Sequence, residues 1–505
     1  MKALPLLALL LLAGCATPAV GTLPADFEAI IGGPDYANAH WGILVVDLAT
    51  GRTLHERNAD KLFAPASVTK LYTVAAALDA LGADFRFETP VYRHDDDLIL
   101  VASGDLTLGG RSDADGHVAF TNSDHTYAGF SETAELTAPD PLAGLRELAR
   151  QVAAAGIKRV RGDVIVDDRL FDPAEGSGSG PSQITPILVN DNVIDFVITP
   201  ADAAGKPATL TWRPETSAFR VENQVLTAGS GEARVSVDVA APGRLVVRGQ
   251  IPVGRKPLVR IHEVDDPASF ARTLFIECLQ KAGVAVDASP TAANPGSKRP
   301  ARDAVGGLPR VATLKSPPFS ENVRLILKVS HNLHASTLPL LLAARKGARK
   351  LEDGMRLEHD FLARAGVDVE TLSFGGGAGG SRADYTTPRA TVQLLRHMAG
   401  RVDFPAYEAA LPVLGVDGTL ATVVGPASPA RGRVRAKTGT LLWHNTMNNR
   451  FLLTSKALAG YLTTAGGRTL AFAFFVNNTH IEKSSDSARE GRALGRLCEI
   501  LHGLD

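Results

Sequence analysis

The sequence predicts an α/β fold in its α+β form: one antiparallel sheet flanked by helices, built from the two ends of the chain, with a large β-rich insertion between them. Two observations carry this. Strand-like runs stand at both ends, at 41–48 and again at 432–437, 458–464 and 469–476, with helical patterns from about residue 316 between them. Nearly the whole of 187–253 reads as short strands separated by turn residues.

Each element has its own signal. Ile43, Leu44, Val45 and Val46 run into the turn Ala49-Thr50-Gly51, and a short strand follows around Leu54. Pro65 opens a helix whose apolar stripe is Leu71, Val74, Ala75, Leu78 and Leu81. Residues 98–102 and 164–166 are β-like, with a helix over 142–155 between them. The short strands of the middle are 196–199, 208–212, 234–239 and 245–250, and a helix over 267–282 closes the region. Thr387-Pro388 is an N-cap followed by proline at the first helical position. Residues 458–464 and 469–476 form a hairpin across Gly466-Gly467, and a last helix begins near Ser484. The expected division is 39–90 with 285–505 as the main domain, 91–186 with 256–284 as a first insertion domain, and 187–255 as a nested all-β domain.

Composition removes several function classes. The 505 residues carry 53 Lys plus Arg against 54 Asp plus Glu, a net charge of −1. That balance excludes a globally basic nucleic-acid binder, so no nucleic-acid partner is expected. Hydrophobic residues are 45% and charged residues 21%, the proportions of an ordinary globular chain, not of a disordered or multi-span membrane protein. Three cysteines are too few for a disulfide scaffold.

The first residues read as a targeting segment. Lys2 is followed by the apolar run 3–13, too short at about 1.5 Å per residue to cross a hydrocarbon core of about 30 Å. Leu12-Ala13-Gly14-Cys15 resembles the lipobox of bacterial lipoproteins. This implies a signal peptide over 1–14, a lipid on Cys15 and a tether over 15–38, within which 18–38 also reads as holding a short helix. Ala16 is not the Asp linked to inner-membrane retention, so the expected location is the periplasmic face of an outer membrane, reached through the lipid anchor. Cys278 and Cys498 then remain, as buried free thiols or one disulfide.

Three short motifs carry chemistry. In Ser67-Val68-Thr69-Lys70, positions i and i+3 of a helix share a face. A serine hydroxyl becomes a nucleophile once a base takes its proton, and a lysine is that base if burial lowers its pKa. Ser330-His331-Asn332 interrupts two apolar helical stretches, as a helix break or a site. Lys437-Thr438-Gly439-Thr440 ends a strand. Each is weak alone; together, in this order and on these elements, they match the Ser-x-x-Lys, Ser-x-Asn and Lys-Thr-Gly set of penicillin-binding proteins and serine β-lactamases.

The long gap between the first two motifs resembles the D-Ala-D-Ala carboxypeptidase/endopeptidase family, peptidase family S13, the low-molecular-mass class C penicillin-binding proteins. Patches at 100–105, 162–168, 189–192, 415–420 and 458–461 fit that family. The resemblance implies a penicillin-binding-protein/β-lactamase-like transpeptidase domain and a serine-type D-Ala-D-Ala carboxypeptidase acting on peptidoglycan peptide stems. It implies Ser67 as nucleophile, Lys70 as general base, Ser330 as proton relay and Lys437 as electrostatic clamp, with Lys437 and Thr438 meeting the terminal carboxylate. Asn332, Thr438, Gly439 and Thr440 would bind substrate, and β-lactams would be covalent inhibitors. No metal or organic cofactor is implied. The rivals are a β-lactamase or esterase of the same superfamily and a non-catalytic peptidoglycan-binding lipoprotein.

Three departures stand out. His331 replaces the usual Asp or Asn, the Gly-rich segment 376–382 lacks the family's acid, and 441–453 looks inserted, either as a longer hairpin or as a flap at the groove mouth. Gly375 to Gly380 satisfies a dinucleotide-binding pattern but lacks the strand and helix that pattern needs. His331 and His334 could share a metal, yet no further ligand sits at sensible spacing, so no metal site is expected.

Overall fold

The computed structural model describes residues 23–176 and 178–504. Cys15 and its lipobox lie outside the described residues. The main sheet is fully antiparallel and runs Val434–Asn445, Arg450–Thr463, Thr469–Asn477, His40–Asp47, Thr53–Arg57. His40 pairs with Asn477 and Asp47 with Leu470, so the two ends of the chain are neighbours in one sheet.

Alternation along these strands sends side chains to two cores. Ile43, Val45, Leu458, Phe472, Phe474 and Val476 face the final helix Ser487–His502 and Phe27 of Ala25–Ile31. Leu44, Val46, Ala457, Ala459, Ala473 and Phe475 face the opposite layer. At the centre of that layer lies Lys70–Leu81, buried from Lys70 through Leu78. A helix that is apolar all round belongs inside a domain. It packs against Asn332–Arg345 and Leu351–Arg364 and ends at Gly82, whose φ of 84° lies in the left-handed region.

The helix that Pro65 opens begins differently from expectation. Ala66–Thr69 is a 3-10 turn, and the α-helix starts only at Lys70. The remaining helices stand close to where the sequence places them, at Ala143–Ala154, Pro267–Lys281, Pro388–Ala399 and Ser487–His502.

Between the first and second motifs lie three further sheets of three or more strands. Arg310–Lys315, Glu88–His94, Asp97–Val101 and Val164–Asp167 form one, covered by Ala143–Ala154 and Pro267–Lys281. Thr209–Arg213, Val193–Thr199 and Leu258–Glu263 form the second; Arg220–Ala228, Arg244–Pro252 and Arg234–Ala241 form the third. Leu258–Glu263 lies beyond residue 255 yet pairs with Val193–Thr199. Cys278 and Cys498 are both free and sit in different cores, so the disulfide alternative falls.

Gly354 marks the crossing of Leu351–Arg364 over Asn332–Arg345. A Cβ there would lie 1.8 Å from the carbonyl oxygen of Pro339. Helix propensity alone favours alanine by about 1 kcal/mol, but overpacking costs about 1–3 kcal/mol. Gly354→Ala is therefore expected to destabilise, read as a lower denaturant midpoint; a higher midpoint would show that the two helices separate freely.

Candidate active site

The 3-10 turn explains the geometry at Ser67. With three residues per turn, positions i and i+3 eclipse each other, which places Lys70 Nζ 2.9 Å from Ser67 Oγ. Ala66 sits at φ 47°, strained for a residue with a Cβ. Neighbours crowd this turn: a Cβ on Gly379 would lie 1.9 Å from Ala66 O, and one on Gly439 would lie 2.4 Å from Pro65 O. Glycine at both positions lets a loop and a strand close on the turn.

Lys70 is fully buried. Besides Ser67 Oγ, its Nζ lies 2.6 Å from Asn332 Oδ1 and 2.7 Å from the carbonyl oxygen of Ala378. Burial, and then the nearby Lys437, push its pKa well below the ordinary lysine value against the pull of Asp384. A neutral amine keeps two N–H groups for Asn332 and Ala378 and turns its lone pair to Ser67.

Ser330 terminates Phe319–Val329 in a left-handed conformation, φ 62° and ψ 41°. This turns its Oγ to accept a hydrogen bond from Lys437 Nζ at 2.9 Å, while its carbonyl accepts from the Tyr127 hydroxyl at 2.5 Å. His331 caps the next helix, its Nδ1 accepting from the His334 N–H at 3.3 Å. Asn332 Nδ2 donates to Ser179 Oγ at 3.1 Å. Lys437 is fully buried, and burial pushes its pKa down to about 7. Thr438 Oγ1 donates to Thr419 Oγ1 at 2.8 Å, and Thr440 Oγ1 accepts from Lys456 Nζ at 2.9 Å. Ser67, Ser330, Thr438 and Thr440 line one cavity of about 420 Å³. The three sequence motifs thus meet at one place.

Several partners were invisible in the sequence. Tyr127 and Ser179 come from the insertion, and no spacing rule ties them to the second motif. Ala378 contributes only its carbonyl, from the segment read as having lost its acid. Asp384 holds that loop by accepting from Gly375 N at 2.7 Å and Ser381 N at 2.8 Å. Residues 441–453 form a β-hairpin extension, paired out to Asn445 with Arg450, and none of them lines the cavity. The Arg382 guanidinium lies 4.3 Å from the centre of the Trp443 ring.

Behind Ser330 lies a buried charged cluster. Asp191, His331 and His334 each bring one ligand atom within 4.8 Å of the others, so a carboxylate does reach the two histidines, contrary to the sequence reading. Its charge is nonetheless matched. Arg111 binds Asp124 and Asp191, both at 2.7 Å, and Arg213 Nε lies 3.2 Å from Asp195. His125 faces Asp195 at 2.6 Å through Nδ1 and Asp191 at 2.9 Å through Nε2, so both ring nitrogens must donate and the ring is a cation. Burial opposes that charge, but Asp195 and Asp124 carry its pKa up to about 10. His334 is neutral, burial having pushed it to about 4. Three cations balance three carboxylates, and a divalent ion would add unmatched charge. Arg111→Ala would leave Asp124 and Asp191 buried without their shared cation, a loss of about 3–5 kcal/mol; a denaturant midpoint within error of wild type would contradict this account.

A family model described as D-Ala-D-Ala carboxypeptidase 3 (S13) matches residues 23–496. A D-alanyl-D-alanine carboxypeptidase of Actinomadura sp. (strain R39) is 30% identical over 496 residues, covering 91% of this chain and 81% of that one. The DacB carboxypeptidase of Haemophilus influenzae is 24% identical, covering 86% and 85%. The crystal structure of penicillin binding protein 4 from Haemophilus influenzae superposes with a TM-score of 0.69 at 20% identity, covering 95% of this chain and 100% of that one. Motif order, site geometry and these similarities agree: the chain belongs to the D-Ala-D-Ala carboxypeptidase 3 (S13) family of serine-type peptidases.

Proposed function

We propose that the chain cleaves the bond between the two terminal D-alanines of peptidoglycan stem peptides, and the equivalent crosslinks, through an acyl-enzyme on Ser67 that β-lactams trap. The observation that carries this reading is the buried amine of Lys70 beside Ser67 Oγ. Lys70 takes the hydroxyl proton as Oγ attacks the carbonyl carbon. Backbone N–H groups of Ser67 and Thr440 hold the oxyanion; one such donor is typically worth about 3–4 kcal/mol of barrier. Ser330, bonded to Lys437, passes a proton to the leaving amine as the peptide bond breaks. Asn332 bonds the substrate amide, and Thr438, Gly439 and Thr440 border the carboxylate of the leaving residue. Water then hydrolyses the ester. No cofactor enters this scheme.

Mass spectrometry after exposure to a penicillin tests it. One adduct on Ser67 is expected, absent in Ser67→Ala. Lys70→Arg keeps charge but cannot deprotonate, so acylation should collapse, while Lys437→Arg keeps a cation beside Ser330 and retains more. An adduct on Ser330 or equal loss in both variants overturns these roles. Rapid release of hydrolysed penicillin would instead make the chain a β-lactamase, and no adduct at all a non-catalytic peptidoglycan-binding lipoprotein.

We also propose that the protein is an exported lipoprotein anchored at Cys15. Acyl chains contribute about 0.8 kcal/mol per buried CH₂, so several chains hold firmly. The full chain should partition with outer membranes, and Cys15→Ala should reduce that partitioning; a wild-type protein free in the periplasm refutes lipidation.

A further inference from the structure

Lys456 is a cation that the scheme above does not use. It lies on Arg450–Thr463 directly opposite Thr440, next to the opposed pair Leu458 and Thr438. Opposed residues share a face of the sheet, so Lys456, Thr440 and Thr438 stand together at the end of the cavity. The final helix roofs that face, and Gly491 lies against the Lys456 side chain: a Cβ there would be in ordinary van der Waals contact, 3.4 Å from Cε and 3.7 Å from Nζ. Among the described residues, Lys456 Nζ has one hydrogen-bond partner, Thr440 Oγ1 at 2.9 Å, and no carboxylate oxygen within ion-pair distance. An ammonium carries three donors, so two remain unspent. Lys456 and Arg492 line this end of the cavity, whose one lining carboxylate, Asp124, is held by Arg111.

We propose that Lys456 is a specificity-determining residue that binds the carboxylate on the leaving residue, beside Thr438 and Thr440. This rests on the acyl-enzyme reading and adds a division of labour to it. Lys437 serves Ser330, and Lys456 supplies the charge that recognises a free acid. Lys456 is half-buried; desolvation, against the pull of Glu490, pushes its pKa down to about 8, so at neutral pH it still carries the charge that an anion would match. A substrate with an uncharged C-terminus leaves that cation unmatched.

Wild type, Lys456→Met and Lys456→Arg would be assayed on one acyl-D-Ala-D-Ala peptide as the free acid and as its C-terminal amide. Lys456→Met is expected to lower kcat/KM on the acid tenfold or more, chiefly through KM, and to leave the amide within about twofold. Lys456→Arg should restore most of the difference. An equal fall on both substrates, or no fall on the acid, overturns the proposal. Should Lys456→Met fail to fold by thermal melt, Lys456→Gln, which keeps a donor for Thr440, takes its place. Labelling by saturating fluorescent penicillin separates the two readings. An unlabelled wild type overturns the acyl-enzyme itself. A variant that labels fully but keeps the acid-to-amide ratio overturns only the role of Lys456.

Discussion

The structure is organised around one buried amine. Lys70 has no carboxylate within ion-pair distance among the described residues, and it lies out of water. An isolated buried charge is costly, so burial pushes the Lys70 pKa well below the ordinary lysine value. Its three polar neighbours come from a 3-10 turn, from the start of Asn332–Arg345 and from the loop before Asp384. These segments meet only if the sheet, the helical layer and the loop all close on one point. Gly379 and Gly439 are small because any side chain there would hold two of those segments apart.

The insertion is part of this arrangement. Tyr127 fixes the carbonyl of Ser330, Ser179 meets Asn332, and Asp124 and Asp191 lie 3.7 and 3.6 Å from the His331 ring. His331 is therefore the joint between the second motif and the insertion. Its ring points away from the cavity, which is how it can replace a smaller polar residue without blocking substrate.

Much of this was legible in the sequence. The three motifs, their order and their elements led to Ser67, Lys70, Ser330 and Lys437, because Ser67 and Lys70 sit three residues apart and the apolar periods around them are clear. What escaped notice is nonlocal. The Ala378 carbonyl has no side-chain signature, and Tyr127 and Asp191 meet the second motif only through tertiary folding. Arg220–Ala228 escaped because its sequence is polar and its strand half-exposed, so period-2 alternation is faint. The 3-10 turn escaped because Pro65 signals a helical start without saying how tightly its first turn winds.

The pairing of His40–Asp47 with Thr469–Asn477 governs the order in which function can arise during synthesis. The strand His40–Asp47 waits for a partner made more than four hundred residues later. Contacts this distant in sequence form late. The insertion, with its own sheets and its own core, can fold while the main sheet still lacks three strands. A chain truncated anywhere between Lys70 and Val434 has Ser67 and Lys70 but neither Lys437 nor the strand that carries Thr440. Hydrolytic capability is thus withheld from every polypeptide that stops short of Val434 and appears only as the last strands add to the first.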